Sequence, residues 1–373
     1  MKSPAATSPR IAIACGGTGG HLFPGIAIGA ELLQRGGAVT LLISPKDVDQ
    51  QAVRSVGGME VVTLPAVALQ DGNYFSFARS FWQARGAALK HFAAQPPQAV
   101  LAMGGFTAAP PVFAAKKFRA KTFLHESNTI PGRANRFLAR RVDAAFVGFP
   151  EAAHQLRARD IMVVGTPVRP QFAPSPFPEM PTSIYRTSLG LDPARPVVFV
   201  TGGSQGATGL NDLILAALPA LADRADVWQW LHLTGPRDVE RVKAAYAAHG
   251  CKAVVQPFLV EMEAAFHAAT AVVSRAGASS LAEIAAMKLP ALLVPLPTAA
   301  DDHQRHNARA FATAGAARVL EQAAATPEKT AALLRELMEA PAARTEIQVA
   351  LAKQHTPTAA ARIAENILNA LKS

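Results

Sequence analysis

His21 is the side chain with the clearest chemical opportunity in this sequence. It follows Gly16-Gly17-Thr18-Gly19-Gly20 in the run IAIACGGTGGHLFPGIAIG (11–29), where a short apolar segment turns through glycines into a helical pattern. Such a turn lets the backbone come close to a ligand and aims helix N-terminal N–H groups at an anion. The helix dipole at that point favours a neutral imidazole. A neutral imidazole facing a cleft can take a proton from a hydroxyl. Capping or lining the turn is the structural alternative for the same side chain.

A similar device, VVFVTGGSQGATGLN (197–211), returns in the second half with Ser204 and Gln205 in place of an ionisable base, and Gly104-Gly105 forms a third glycine pair after an apolar run. One turn is then suited to a nucleophile and another to an anionic leaving group. Further on, Glu283 lies in the helix that follows the turn after Ser274. A carboxylate there can accept two ribose hydroxyls, or it can be a solvated helix residue. Gln304 and Asn307 fall in a polar loop entering a helix.

Spelling excludes the commonest phosphate binders. There is no G-x-x-x-x-G-K-[ST], and the dinucleotide fingerprint fails because Gly17-Thr18-Gly19 runs into Gly20, His21 and Leu22. The second apolar run ends at Ser44-Pro45 with no acidic residue placed for a ribose, so NAD is not expected. No D-x-D carboxylate pair is read as one that would hold a catalytic metal, Asp301-Asp302 being adjacent in a polar loop, and neither Cys15 nor Cys251 has metal-site spacing, so no metal or other cofactor is expected.

These residues need a frame that brings strand ends together. At 373 residues, half of them hydrophobic, the chain is long enough for two domains. Apolar runs at 11–15, 39–43, 99–102, 121–124, 144–147 and 161–164 alternate with helical patterns such as 26–34, 75–93 and 133–139. The alternation resumes with runs at 197–201, 228–234, 253–256, 271–274 and 291–294. This indicates an α/β fold of two Rossmann-like, doubly wound domains with their strand C-termini around a central cleft. The expected boundaries are an N-terminal domain 1–166, a proline-rich linker 167–196, a C-terminal domain 197–355 and a final amphipathic helix 356–373. Packing is the plainest role of that helix, including a return to the first domain.

The formal charge of +10 calls for an anionic partner. No zinc-finger spacing, RNP-like aromatic motif or long basic block argues for nucleic acid. The N-terminal MKSPAATSPR has no apolar region of a secretory signal. Segment 96–115 is uncharged, but its Gly and Pro pairs fit a strand and loop better than a membrane span.

Six motifs carry a specific resemblance: GGTGGHLFPG, MGGFTAAP, LHESNTIPGRANR, VGTPVR, GGSQGA, and SRAGASSLAEIAAMKLPALLVP followed by HQRHNA. In this order, over nearly the whole chain, they resemble the bacterial peptidoglycan N-acetylglucosaminyltransferases (MurG family), which are two-domain GT-B enzymes. The resemblance implies inverting transfer of GlcNAc from UDP-GlcNAc to the C4 hydroxyl of the muramoyl sugar in undecaprenyl-pyrophosphoryl-MurNAc-pentapeptide, converting lipid I to lipid II. It implies a donor site of Thr18, Gly19, Gly20, Asn128, Arg169, Ser204, Leu259, Glu283 and Gln304. In that site the Ser204 turn holds the diphosphate, Glu283 the ribose and the Leu259 backbone the uracil. Gly104-Gly105 would face the acceptor pyrophosphate, and His21, positioned or assisted by Glu126, would be the general base. His125 fits a supporting role equally well. One departure stands out: His303 occupies the place beside Gln304 where relatives commonly carry a second glutamine.

The lipid acceptor also accounts for the basic excess. Segment 73–92 sets Phe77, Phe81 and Trp82 near Arg79, Arg85 and Lys90, a pattern for peripheral attachment to an anionic leaflet at the cytoplasmic membrane face, or for an ordinary amphipathic helix. Lipid II synthesis further implies roles in cell shape and division, with cell-wall-synthesis proteins as partners. A UDP-GlcNAc 2-epimerase of the same architecture is the alternative enzyme reading, and a non-catalytic scaffold that binds nucleotide sugars is the third.

Overall fold

The computed structural model describes residues 8–17, 19–46, 49–50, 53, 56–65, 74–172, 180–203 and 206–372. The chain divides into two compact units, Met1–Pro170 with Thr356–Ser373, and Gln171–His355.

The first unit is built on a parallel sheet of β1 (Arg10–Ala14), β2 (Ala38–Ile43), β3 (Glu60–Thr63), β4 (Ala99–Ala102), β5 (Lys121–Glu126), β6 (Ala144–Val147) and β7 (Ile161–Val163), in the order β3-β2-β1-β4-β5-β6-β7. Alternation along β1 sorts the core. Ile11 and Ile13 face a layer holding Leu22, Ile28 and Leu32 of helix Gly19–Gln34. Ala12 and Ala14 face a layer holding Ala88 and Phe92 of helix Tyr74–Ala94 and Val112 of helix Ala109–Ala115. Both faces are covered, which is why the central strands read as continuous apolar runs. The closing helix Ala359–Ala370 puts Ile363, Ala364 and Ile367 into the same layer as Ile11 and Ile13.

The second unit repeats the plan with β8 (Val197–Thr201), β9 (Gln229–Leu233), β10 (Lys252–Gln256), β11 (Ala271–Ser274), β12 (Ala291–Leu293) and β13 (Arg318–Val319), ordered β10-β9-β8-β11-β12-β13 and parallel throughout. Part of the proline-dense stretch expected to link the domains is helical, at Thr182–Ser188. There Tyr185 stacks on His267 at 4.5 Å and Arg186 Nε donates to the Ala268 carbonyl at 3.0 Å.

In each sheet the chain reverses its winding at one place, between β1 and β4 and between β8 and β11. Open α/β sheets bind ligands beyond the strand C-termini at that point. The glycine turns stand there: after β1 and β4 in one unit, after β8 and β11 in the other.

Candidate active site

The turn after β1 is held from behind by a carboxylate. Asp49, fully buried, accepts the Gly17 N–H at 2.7 Å, the Ser44 N–H at 3.1 Å and the Ser44 hydroxyl at 2.5 Å, all on Oδ2. Lys46 Nζ donates to the Gly17 carbonyl (3.0 Å) and Thr107 Oγ1 to the Gly16 carbonyl (2.6 Å). Gly16 admits no side chain, since a Cβ would stand 2.3 Å from the Ser44 nitrogen. The Gly17 amide is therefore spent on an internal anion, so this turn fixes geometry more than it offers a phosphate nest. Thr18 lies outside the described residues; Gly19 and Gly20 open helix Gly19–Gln34.

His21, in the first turn of that helix, lies against the turn after β4. A Cβ on Gly104 would be 2.9 Å from His21 Cε1, and one on Gly105 would be 3.1 Å from its Cδ2. Both glycines have left-handed φ values, +107° and +72°. The imidazole thus lies over a strip of backbone that only glycine keeps bare. The structure brings together His21, Gly104 and Gly105, which the sequence separates by more than 80 positions.

The third wall comes from the end of β5. Glu126, 2% exposed, accepts four hydrogen bonds: the Asn128 N–H (2.8 Å) and Asn128 Nδ2 (2.9 Å) on Oε1, and the Gly132 N–H (2.8 Å) and Asn135 Nδ2 (2.9 Å) on Oε2. That arrangement shapes the 126–135 loop and presents Asn128. Asn135 Nδ2 is also bound to the His125 carbonyl (3.0 Å), while its buried Oδ1 accepts no bond among the described residues. His125 is buried, and desolvation holds its pKa below the usual imidazole range. Its Nε2 faces the Gly165 carbonyl at 3.0 Å, which can only accept, so the proton is on Nε2 and Nδ1 accepts from Ser127 Oγ (3.3 Å). Arg169, 8% exposed, stacks its guanidinium 4.3 Å from the Phe23 ring, two residues beyond His21 in the same helix.

In the second unit, Gly203 and Gly206 take left-handed φ values of +91° and +73° in the turn after β8, and Ser204 and Gln205 lie outside the described residues. Helix Thr208–Ala217 starts directly after this turn, so its N-terminal amides point out from the switch point. Glu283 is buried in helix Ala278–Met287, at 7% exposure, which sets aside the solvated alternative. Gln304 stands in the first turn of helix His303–Thr313, not in a loop. Its Oε1 accepts the Ala276 N–H (3.2 Å) and the Leu296 N–H (3.0 Å), which leaves Nε2 as the group it offers. Asn307 Nδ2 donates to the Ala276 carbonyl at 3.1 Å. His303 donates from Nδ1 to the Ala300 carbonyl (2.6 Å), so its Nε2 is an acceptor in the neutral ring. Leu259 lies past β10 between Phe258 and Val260, which are 44% and 66% exposed.

Three contributors were given no role by the sequence: Asp49, and Asn135 and Arg275, which lie inside the quoted motifs. Asp49 works through the Gly17 and Ser44 amides and the Ser44 hydroxyl, and Asn135 through the His125 carbonyl and the Glu126 carboxylate. Arg275 is buried after β11, where its Nη atoms donate to the Val294 (3.1 Å) and Pro295 (3.2 Å) carbonyls and to Gln322 Oε1 (2.8 Å). Burial lowers its pKa, and the carbonyls satisfy the charge. A buried arginine gives no signal in composition; its place directly after a predicted strand, inside the motif that opens at Ser274, is the hint.

The geometry has counterparts in known proteins. A UDP-N-acetylglucosamine--N-acetylmuramyl-(pentapeptide) pyrophosphoryl-undecaprenol N-acetylglucosamine transferase of Anaeromyxobacter sp. (strain K) is 37% identical over 364 residues, covering 95% of this chain and 91% of that protein. The crystal structure of Acinetobacter baumannii MurG superposes with a TM-score of 0.73 at 26% identity, covering 97% of this chain and 99% of the other. A UDP-N-acetylglucosamine 2-epimerase shares the fold (TM-score 0.68) at 13% identity, covering 97% and 96%. The glycosyltransferase family 28 N-terminal domain matches residues 11–147 and the family 28 C-terminal domain matches 197–365. With both domains of the family matched in order along its length, this chain belongs to glycosyltransferase family 28.

Proposed function

We infer that the chain transfers N-acetylglucosamine from UDP-GlcNAc to undecaprenyl-pyrophosphoryl-N-acetylmuramoyl-pentapeptide, the step that completes the disaccharide of lipid II. The observation that carries the reading is the His21 ring packed on Gly104-Gly105 at the β1/β4 switch point, in a chain that matches a transferase of this name over 95% of its length. In this proposal His21 takes the proton of the muramoyl C4 hydroxyl as its oxygen bonds to C1 of GlcNAc. The C1–O bond to the diphosphate breaks on the opposite face, and UDP leaves with the electron pair, so configuration inverts. The bare Gly104-Gly105 backbone receives the acceptor pyrophosphate. Glu126 acts by holding Asn128 toward the transferred sugar, with Thr18, Gly19 and Gly20 beside it and Arg169 adding a cation near the helix start.

The second unit takes the donor nucleotide: the Ser204 turn binds the diphosphate, Glu283 the ribose, the Leu259 backbone the uracil, and Gln304 Nε2 the sugar. Amides at Gly203–Ala207 and the N-terminus of helix Thr208–Ala217 meet the charge of the leaving group without a resident metal. Radiolabelled GlcNAc transfer to a lipid I analogue tests the reading. Wild type transfers label, and His21→Ala loses about 10²–10⁴ in rate. Full activity in the variant removes the base, and UDP-ManNAc formed from UDP-GlcNAc alone would favour the epimerase reading.

We further propose peripheral attachment to the cytoplasmic leaflet. Among the described residues no helix is long and apolar enough to cross a membrane. Support comes from an aromatic ridge: Trp82 meets Phe81 (5.7 Å), Phe81 meets Phe113 (5.9 Å) and Phe113 meets Phe137 (6.0 Å). Arg85 lies over Trp82 (5.4 Å) and Arg141 over Phe137 (4.2 Å), while Phe75 is 82% exposed. Exposed rings rimmed by guanidinium groups suit an acidic headgroup layer.

A further inference from the structure

The second unit contains a buried polar chain that the reaction above does not use. Asn211 Nδ2 donates to the Thr234 carbonyl (3.0 Å) and to Asp238 Oδ2 (2.8 Å), so its Oδ1 is an acceptor for His232 Nε2 at 3.0 Å. That puts the imidazole proton on Nε2 and makes Nδ1 the acceptor of the Tyr246 hydroxyl, also at 3.0 Å. Every proton therefore points one way, from Tyr246 through His232 and Asn211 to the Asp238 carboxylate. All four side chains are buried, and burial pushes the His232 pKa down to about 3, so the ring stays neutral.

Polar groups inside a core are no more stabilising than apolar ones of the same shape unless they fix something. This chain grips the glycine turn after β8 from two sides. The Thr234 carbonyl held by Asn211 is the wall against which Gly206 lies: a Cβ on Gly206 would be 2.4 Å from that oxygen. Asn211 itself sits in the first turn of helix Thr208–Ala217, its N–H bound to the Ala207 carbonyl (3.0 Å), and Asp238 also takes the side chain of Thr208, the first residue of that helix. The turn closes through the Gly206 N–H on the Gly203 carbonyl at 3.1 Å.

We propose that His232, backed by Tyr246, is a positioning residue for the diphosphate of the nucleotide-sugar donor, acting through Asn211 on the Gly203–Ala207 turn. This rests on the reading of that turn as the diphosphate site. Neither ring touches the ligand; each sets the direction of the Asn211 amide, and through it the spacing between the helix start and the Thr234 wall.

The test compares His232→Leu, His232→Gln and Tyr246→Phe by calorimetric binding of UDP and of uridine, by donor and acceptor KM, and by thermal unfolding. His232→Leu is expected to weaken UDP binding and raise donor KM roughly tenfold, with acceptor KM and uridine affinity unchanged. His232→Gln, whose amide can donate where Nε2–H did, restores most of the loss. Tyr246→Phe, which removes only a hydroxyl, moves the same quantities by less and serves if His232→Leu does not fold. Unchanged UDP affinity in the folded variants, or equal losses for UDP and uridine, overturns the proposal. Wild-type protein that binds no UDP overturns the donor reading itself, a separate result.

Discussion

Gly104→Ala is the sharpest perturbation of the candidate site, because the substituted atom lands on the proposed base. The new Cβ would stand 2.9 Å from His21 Cε1. Carbon atoms settle at about 3.5 Å or more, so the ring must retreat by roughly 0.6 Å or the turn must open by as much. A misplacement on that scale can cost about 10²-fold in rate, or about 2.7 kcal/mol of transition-state stabilisation. The backbone also suffers, since φ is +107°, and an L side chain there costs about 1–2 kcal/mol of stability, or several degrees in Tm. The two effects separate in a double-mutant cycle. In a His21→Ala background no ring is left to displace, so Gly104→Ala should lower Tm as before while leaving kcat at saturating acceptor unchanged, any crowding of the pyrophosphate falling on acceptor KM. UDP binding should be unchanged in all variants. If Gly104→Ala costs the same rate factor with and without His21, the contact between ring and turn is not what matters, and the argument fails.

Glu126→Gln places an amide against N–H donors whichever way it turns, so about 2–4 kcal/mol of stability and much of kcat should be lost while the pH–rate profile keeps its limbs; a displaced limb would make Glu126 a proton-transfer group instead. For His232, whose folded pKa is about 3 against the ordinary 6.5, the unfolded chain binds a proton that the native state refuses, so stability is complete above pH 6.5 and falls as pH drops toward 3. Buried His125 shifts in the same direction. Each such histidine contributes up to about 1.4 kcal/mol per unit below 6.5, so denaturant titrations from pH 7.5 to 4.5 should show a slope of at least about that size, and a flat profile contradicts it. Trp82→Ser with Phe137→Ser and Arg85→Glu should cut cosedimentation with phosphatidylglycerol vesicles about tenfold without touching UDP affinity, and full retention would count against the membrane assignment.

The strands buried on both faces were legible as apolar runs, and the glycine turns that end four of them marked the two switch points. The strands missed are β3 and β13, whose residues are half-exposed or exposed, so no apolar run marks them. The helix carrying His21 begins at Gly19, seven residues before its apolar periodicity, because Gly19, Gly20 and Pro24 read as breakers while the fixed turn sets the helix start. β5 runs on to Glu126, two residues beyond its apolar run, since His125 and Glu126 are hydrogen-bonded and can be buried. Asp49 was invisible for a related reason: its partners are amides 32 and five positions away, and a side chain that binds backbone leaves no pattern of residue types.

Because Ile363, Ala364 and Ile367 belong to the core of the unit that also holds β1, that unit is assembled from two separated stretches of chain, and the other unit lies between them in sequence. On the ribosome the stretch 171–355 therefore emerges whole before residues 356–370 can complete the body bearing His21. Each of the two isoleucines withheld costs about 1.5–3 kcal/mol of burial. A nonsense mutation between His355 and Ile363 would leave the unit 171–355 whole and its partner unfinished, a failure that looks like lost activity but is an interrupted assembly.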